Sequence, residues 1–105
     1  MGADLVVIRL EPENDFIFDL VKEQKTATWY GAWLGLKREN STFKWVDGSS
    51  LGGNYSAWAP REPSSRKEHC VLMFGPKRVS PGKWNDAFCT LRENRAVVVC
   101  QKPSI

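Results

Sequence analysis

The sequence predicts an α+β domain with mostly antiparallel strands, one helix and long irregular loops. One stretch carries apolar residues at helical spacing. Several short runs are rich in β-branched and aromatic residues. The connections between them, above all 48–63, are Gly/Ser/Pro-rich, without a period, and much longer than a tight turn.

Taken in order, Leu5-Val6-Val7-Ile8 reads as a buried strand. Glu11-Pro12-Glu13 then opens a helix, because proline is tolerated in the first turn and acids sit well at the positive end of the dipole. Phe16, Ile17, Leu20 and Val21 give it an apolar face, which ends before the polar stretch Glu23-Gln24-Lys25-Thr26. Thr28 to Leu36 reads as an aromatic-rich strand whose glycines, Gly31 and Gly35, mark bulges or close backbone approach. Phe43-Lys44-Trp45 alternates as a second strand and turns at Asp47-Gly48. In the long loop that follows, Tyr55 and Trp58 point to order maintained by aromatic burial. His69 to Phe74 is a further strand, Gly75 to Gly82 a basic Pro/Gly turn region, and Ala96 to Cys100 a continuous apolar strand expected at the centre of the sheet.

At 105 residues the chain is one domain, with a core modest enough for covalent or metal staples to matter. A charged fraction of 26% beside 42% hydrophobic residues fits a folded globular chain and not a disordered one. No apolar run reaches the roughly 20 residues a membrane helix needs, so no membrane insertion by this segment is expected. The start, MGADLVVIRLEPEN, reads as folded protein and not as a signal peptide. Net charge is +3, and the basic residues come in pairs, Lys37-Arg38, Arg66-Lys67 and Lys77-Arg78, not on one helical face. That reads as a solvated surface and excludes nucleic acid as the expected partner. Catalysis is not expected either. His69 and Cys70 are adjacent, and neighbours on a strand face opposite ways; the three cysteines and one histidine lack zinc-site spacing.

The chemistry gathers between Trp58 and Cys89. Glu62, Glu68, Asn85 and Asp86 are the hard oxygen donors that calcium takes, at roughly 6–8 oxygens per ion. Glu62-Pro63, Glu68 two residues before Cys70, and Trp84-Asn85-Asp86 before Cys89 together resemble the C-type lectin domain. Trp33-Leu34-Gly35-Leu36, Phe43-x-Trp45-x-Asp47-Gly48 and Val99-Cys100-Gln101-Lys102 extend the resemblance over nearly the whole chain. It implies a C-type lectin-like fold over 1–105, lacking the family's N-terminal strand, first helix and first cysteine. It also implies a Cys70–Cys89 disulfide, leaves Cys100 unpaired, and suggests an extracellular or cell-surface domain.

The resemblance further implies one Ca²⁺ held by Glu62, Ser64, Glu68, Asn85 and Asp86, with the same residues binding two vicinal hydroxyls of a sugar. Pro63 is the cis proline that turns the Glu62 loop to the ion, and Trp84 packs beneath. Glu62 keeps the mannose-type identity, so the expected partners are glycans or glycoproteins of that type. Ser64 stands where mannose binders have Asn and galactose binders Asp, and the segment from Glu62 to Glu68 is short. Arg38, Ser65 and His69 occupy the positions of an auxiliary calcium site and leave it without acidic ligands. The rival expectation is a degenerate lectin-like domain that takes a protein partner without calcium or sugar, through Trp58 or the turn around Lys77-Arg78. Asn40-Ser41-Thr42 and Asn54-Tyr55-Ser56 have the form of glycosylation acceptors. Alkylation before reduction is expected to label one thiol per chain, mapped to Cys100 by peptide mass spectrometry; a label on Cys70 contradicts the pairing.

Overall fold

In the computed structural model, which describes residues 4–24, 30–89, 97–98 and 100–101, helix α1 (Glu11–Lys22) packs against an antiparallel sheet. Pro12 lies in its first turn, and the Glu13 carboxylate reaches back to accept from the Arg9 and Leu10 N–H groups. The buried stripe is not the one expected. Ile17 and Val21 face inward with Asn14, whereas Phe16 and Leu20 are exposed. The polar Asn14 takes the inner position because it has two partners there. Its Oδ1 accepts from Trp84 Nε1 at 2.8 Å and its Nδ2 donates to the Gly82 carbonyl at 3.0 Å.

The main path of the sheet runs β3 (Thr42–Trp45), β2 (Tyr30–Glu39), β4 (Cys70–Phe74), β5 (Trp84–Ala87), each neighbouring pair antiparallel. Strand β2 extends past Leu36, and Thr28 and Trp29 lie outside the described residues. The β2/β4 register slips between Tyr30 and Ala32 and again between Trp33 and Lys37, bracketing Gly31 and Gly35. A Cβ on Gly31 would stand 2.9 Å from the Met73 carbonyl, and one on Gly35 2.8 Å from that of Leu5. Both glycines therefore mark bulges and close approach at once.

Two strand expectations need correction. Of Leu5-Val6-Val7-Ile8 only Leu5 is in a strand, β1 (Asp4–Leu5). The next three residues are buried but irregular, since the Val6 carbonyl is taken by the Gly35 N–H at 2.8 Å. The C-terminal apolar run serves two sheets and not one: β6 (Val97–Val98) pairs parallel with β2, while β7 (Cys100–Gln101) pairs antiparallel with β1, and Val99 lies outside the described residues. Its expected central burial, and the state of the Cys100 thiol, lie outside the described side chains.

Trp84 is completely buried. Trp45, Tyr55 and Trp58 meet its ring edge to face, at centroid distances of 5.7, 6.0 and 5.8 Å. This is the aromatic anchoring expected of the long loop, and the buried Leu51, Ala57 and Ala59 complete it. Cys70 and Cys89 are bonded, tying the start of β4 to the chain just beyond β5. Replacing Asn14 by Ala strands the Trp84 Nε1 donor and the Gly82 carbonyl in the core. A loss of about 1–3 kcal/mol is expected in denaturant unfolding.

Candidate functional site

Strand β5 positions the site from below. The Trp84 N–H donates to the Ala57 carbonyl at 2.8 Å, and the Trp84 carbonyl accepts from Ala59 at 2.9 Å. The long loop is thus hydrogen-bonded to the strand three residues before Glu62. Arg61 then takes φ 70 and the Glu62–Pro63 peptide is cis, as expected for Pro63. The loop turns over the end of β5, and Glu62, Ser64 and Glu68 gather round Asp86, with Asn85 next to it on the strand.

Asp86 is the centre of that corner, and its side chain is fully buried. One carboxylate oxygen accepts from the Ser64 N–H and hydroxyl at 3.0 and 3.2 Å. The other accepts from Ser64 N–H at 3.1 Å, Ser65 N–H at 3.0 Å and Arg38 Nη2 at 3.1 Å. Arg38, 10% exposed, also donates to the Glu68 carbonyl at 3.2 Å and the Ser65 carbonyl at 3.1 Å, and stacks 4.6 Å from the Phe43 ring centroid. Arg38, Ser65 and His69 were expected only to spoil an auxiliary calcium site. The guanidinium does more, since it supplies a fixed positive charge joining both sides of the loop to β5. The Ser64 hydroxyl is likewise spent on Asp86.

Burial pushes the Asp86 carboxyl up, but the Ser64 and Ser65 N–H groups outweigh it and hold it below its ordinary 3.8. Glu62 is raised above its ordinary 4.5, first by burial and then by the adjoining Asp86. Glu68 is raised as well, again by burial first and by the Asp86 charge second. Three carboxylates therefore feel one another with one guanidinium to offset them. Glu62 Oε1 and Asn85 Oδ1 are buried without a hydrogen-bond partner among the described residues, although Asn85 Nδ2 donates to the Asp86 carbonyl at 2.9 Å. Two buried acceptors with no donor, beside unbalanced negative charge, fit a hard cation. As they stand, no three His, Cys, Asp or Glu side chains among the described residues converge as metal ligands, because Asp86 is turned toward the loop and Arg38.

Trp58 is not the free contact that the rival expectation needs: it is partly buried between Phe43, 5.0 Å away, and Trp84. Arg38 was the residue whose role sequence reasoning missed: it lies near the end of β2, beyond Leu36, where the expected strand stopped. Replacing Arg38 by Met leaves Asp86 buried without its cation, so a loss of about 3–5 kcal/mol is expected in unfolding of the metal-free protein. The pH profile has two signs. Acidification through the raised range of Glu62 and Glu68, above 4.5, relieves their repulsion and stabilises the fold; below 3.8, protonating the depressed Asp86 removes the stability it contributes. Thermal melts across that range test both limbs.

A family model described as the lectin C-type domain matches residues 1–102. The human low affinity immunoglobulin epsilon Fc receptor is 43% identical over 93 residues, covering 85% of this chain and 25% of that protein. The rat C-type lectin domain family 6 member A is 31% identical over 107 residues, covering 100% of this chain and 47% of the relative. The chain thus spans less than half the length of these curated relatives. Among solved structures, the mouse scavenger receptor C-type lectin carbohydrate-recognition domain aligns with a TM-score of 0.71 at 25% identity, over 98% of this chain and 72% of that one. The cow C-type carbohydrate-recognition domain of CD23, solved in the presence of GlcNAc2Man3 oligosaccharide, aligns with a TM-score of 0.62 at 40% identity, over 83% of this chain and 60% of that one. With the family model spanning nearly the whole sequence, this chain belongs to the C-type lectin domain family.

Proposed function

We propose that the chain is an extracellular or cell-surface binding domain that takes glycans of mannose type through one Ca²⁺ at the Glu62/Asn85 corner. The observation that carries this is the two buried oxygens, Glu62 Oε1 and Asn85 Oδ1, with no donor to satisfy them among the described residues. Each costs free energy unless something electropositive meets it. Glu68 would add a carboxylate from the loop. Asp86 would add charge, its carboxylate exchanging part of its contact with the Ser64 hydroxyl. Bound calcium would supply a site at which two vicinal sugar hydroxyls replace water. The chain's own groups would then sort the hydroxyls, Glu62 and Glu68 accepting their protons and Asn85 Nδ2 donating to them. Glu62, in place of Gln, supports the mannose-type preference. The cow relative, determined with a mannose-containing oligosaccharide, supports it as well.

A second reading rests on a different observation. The Arg38–Asp86 pair already closes the corner with a protein cation, and the human relative is named as a receptor for an immunoglobulin Fc. On that reading the loop corner presents a protein-binding surface without calcium or sugar.

Isothermal titration with Ca²⁺ separates the two. One ion per chain is expected, with retention on mannose resin that chelation reverses. Ser64→Asn adds an amide oxygen and a donor, and one charge-assisted contact of about 1.5–3 kcal/mol corresponds to roughly tenfold or more in affinity. Asn85→Ala is expected to abolish both the calcium heat and the retention. No heat and no retention in the unaltered chain establishes the second reading instead.

A further inference from the structure

Two Asn-x-Ser/Thr triplets lie outside the ligand set, Asn40-Ser41-Thr42 and Asn54-Tyr55-Ser56, and the fold treats them differently. Asn40 opens the two-residue turn between β2 and β3, where Glu39 pairs with Thr42. Its φ of 60 is left-handed, a conformation asparagine tolerates better than most residues. Residues 39–42 are all exposed. Thr42 Oγ1 donates to the Glu39 carbonyl at 3.1 Å, but no hydrogen bond of the Asn40 side chain is found among the described residues. The turn is therefore held by its backbone and by Thr42, and the Asn40 amide is left to solvent.

Asn54 is exposed too, but its amide nitrogen is engaged, donating to the Ser50 carbonyl at 3.4 Å. With Ile8, Trp45 and Tyr55 it lines a cavity of about 340 Å³, so a substituent there would start against packed aromatic surface. The triplets also differ chemically. The third residue of the first triplet is Thr42, whose methyl group restricts the hydroxyl that must assist the amide; that of the second is Ser56.

We propose that Asn40 is an N-glycan acceptor and that Asn54 is not. In the transfer, Asn40 Nδ2 forms a bond to the anomeric carbon of an oligosaccharide carried on a lipid pyrophosphate. The carbon–oxygen bond to the pyrophosphate breaks, the amide loses one proton, and the lipid pyrophosphate leaves; nothing is oxidised or reduced. The glycan would stand at the rim of the candidate site. Arg38, which holds Asp86 and both sides of the loop, lies two residues before Asn40, near the end of β2. The acceptor assignment itself holds whichever ligand the corner takes.

The test is expression of the full chain behind a secretion signal in mammalian cells, with secreted and retained fractions treated with peptide N-glycosidase. One enzyme-sensitive mobility step is expected, with Asn40 converted to Asp in the peptide mass spectrum. The step is lost in Asn40→Gln and kept in Asn54→Gln. Because glutamine is strained at a left-handed position, Thr42→Ala provides a second loss with Asn40 kept, and Thr42→Ser, which retains the hydroxyl that bonds the Glu39 carbonyl, keeps the step. No step in the unaltered chain overturns the proposal. So does a second step, or one that survives Asn40→Gln and vanishes in Asn54→Gln. None of these readouts involves calcium or sugar binding, so their failure is distinct from failure of the glycan-binding reading.

Discussion

The burial of Trp84 is the constraint on which the rest of the structure depends. Its ring is the meeting point of three other aromatic side chains. Edge-to-face pairs of this kind are worth about 0.5–1.5 kcal/mol each beyond the area they bury. Its indole N–H needs a partner in the core, and Asn14 provides it from the helix. Its backbone hydrogen-bonds the long loop at Ala57 and Ala59. One residue thus ties the helix, the loop and β5 together. It also stands immediately before Asn85 and Asp86, so the residues that pack the core determine where the oxygen donors stand.

The corner above Trp84 balances the Asp86 charge with protein groups. Two loop N–H groups, a hydroxyl and a guanidinium meet the Asp86 carboxylate. These contacts close the loop from within the protein, and a loop with its own closing contacts loses less conformational freedom when a ligand arrives. Glu62 and Asn85 are left out of this balance. Their unpartnered oxygens are stored cost at a folded site, and such cost is characteristic of binding positions more than of structural ones.

Much of this was legible in the sequence because local chemistry decided it. The Gly31 and Gly35 bulges follow from residue type, as does the proline start of α1, and spaced motifs located the oxygen donors. What was not legible depends on distant partners. Asn14 reads as a polar residue on the solvent face until Trp84, 70 positions away, gives it a reason to be inside. Phe16 and Leu20 then point outward although their spacing fits a core stripe. Val6 to Ile8 look like a strand, but Gly35 takes the Val6 carbonyl and leaves no ladder for them to continue. Arg38 reads as half of a solvated basic pair, while its partners lie 27 to 48 positions later.

Arg38 also bears on how the two functional readings relate. A guanidinium that bonds Ser65 and Glu68 through their carbonyls constrains the loop backbone and leaves the Glu68 side chain free to turn. Among the described residues it bonds a carboxylate at the Asp86 oxygen shared with Ser65, and the Asp86 oxygen facing the Ser64 hydroxyl takes no bond from it. A cation at Glu62 and Asn85 would therefore compete with a neutral hydroxyl and not with the buried ion pair. That is the cheaper exchange, because a lost neutral hydrogen bond costs about 0.5–1.5 kcal/mol and breaking a buried pair about 3–5 kcal/mol. The ion pair and a bound calcium would on this account be compatible, the first holding the loop while the second met the oxygens of Glu62 and Asn85.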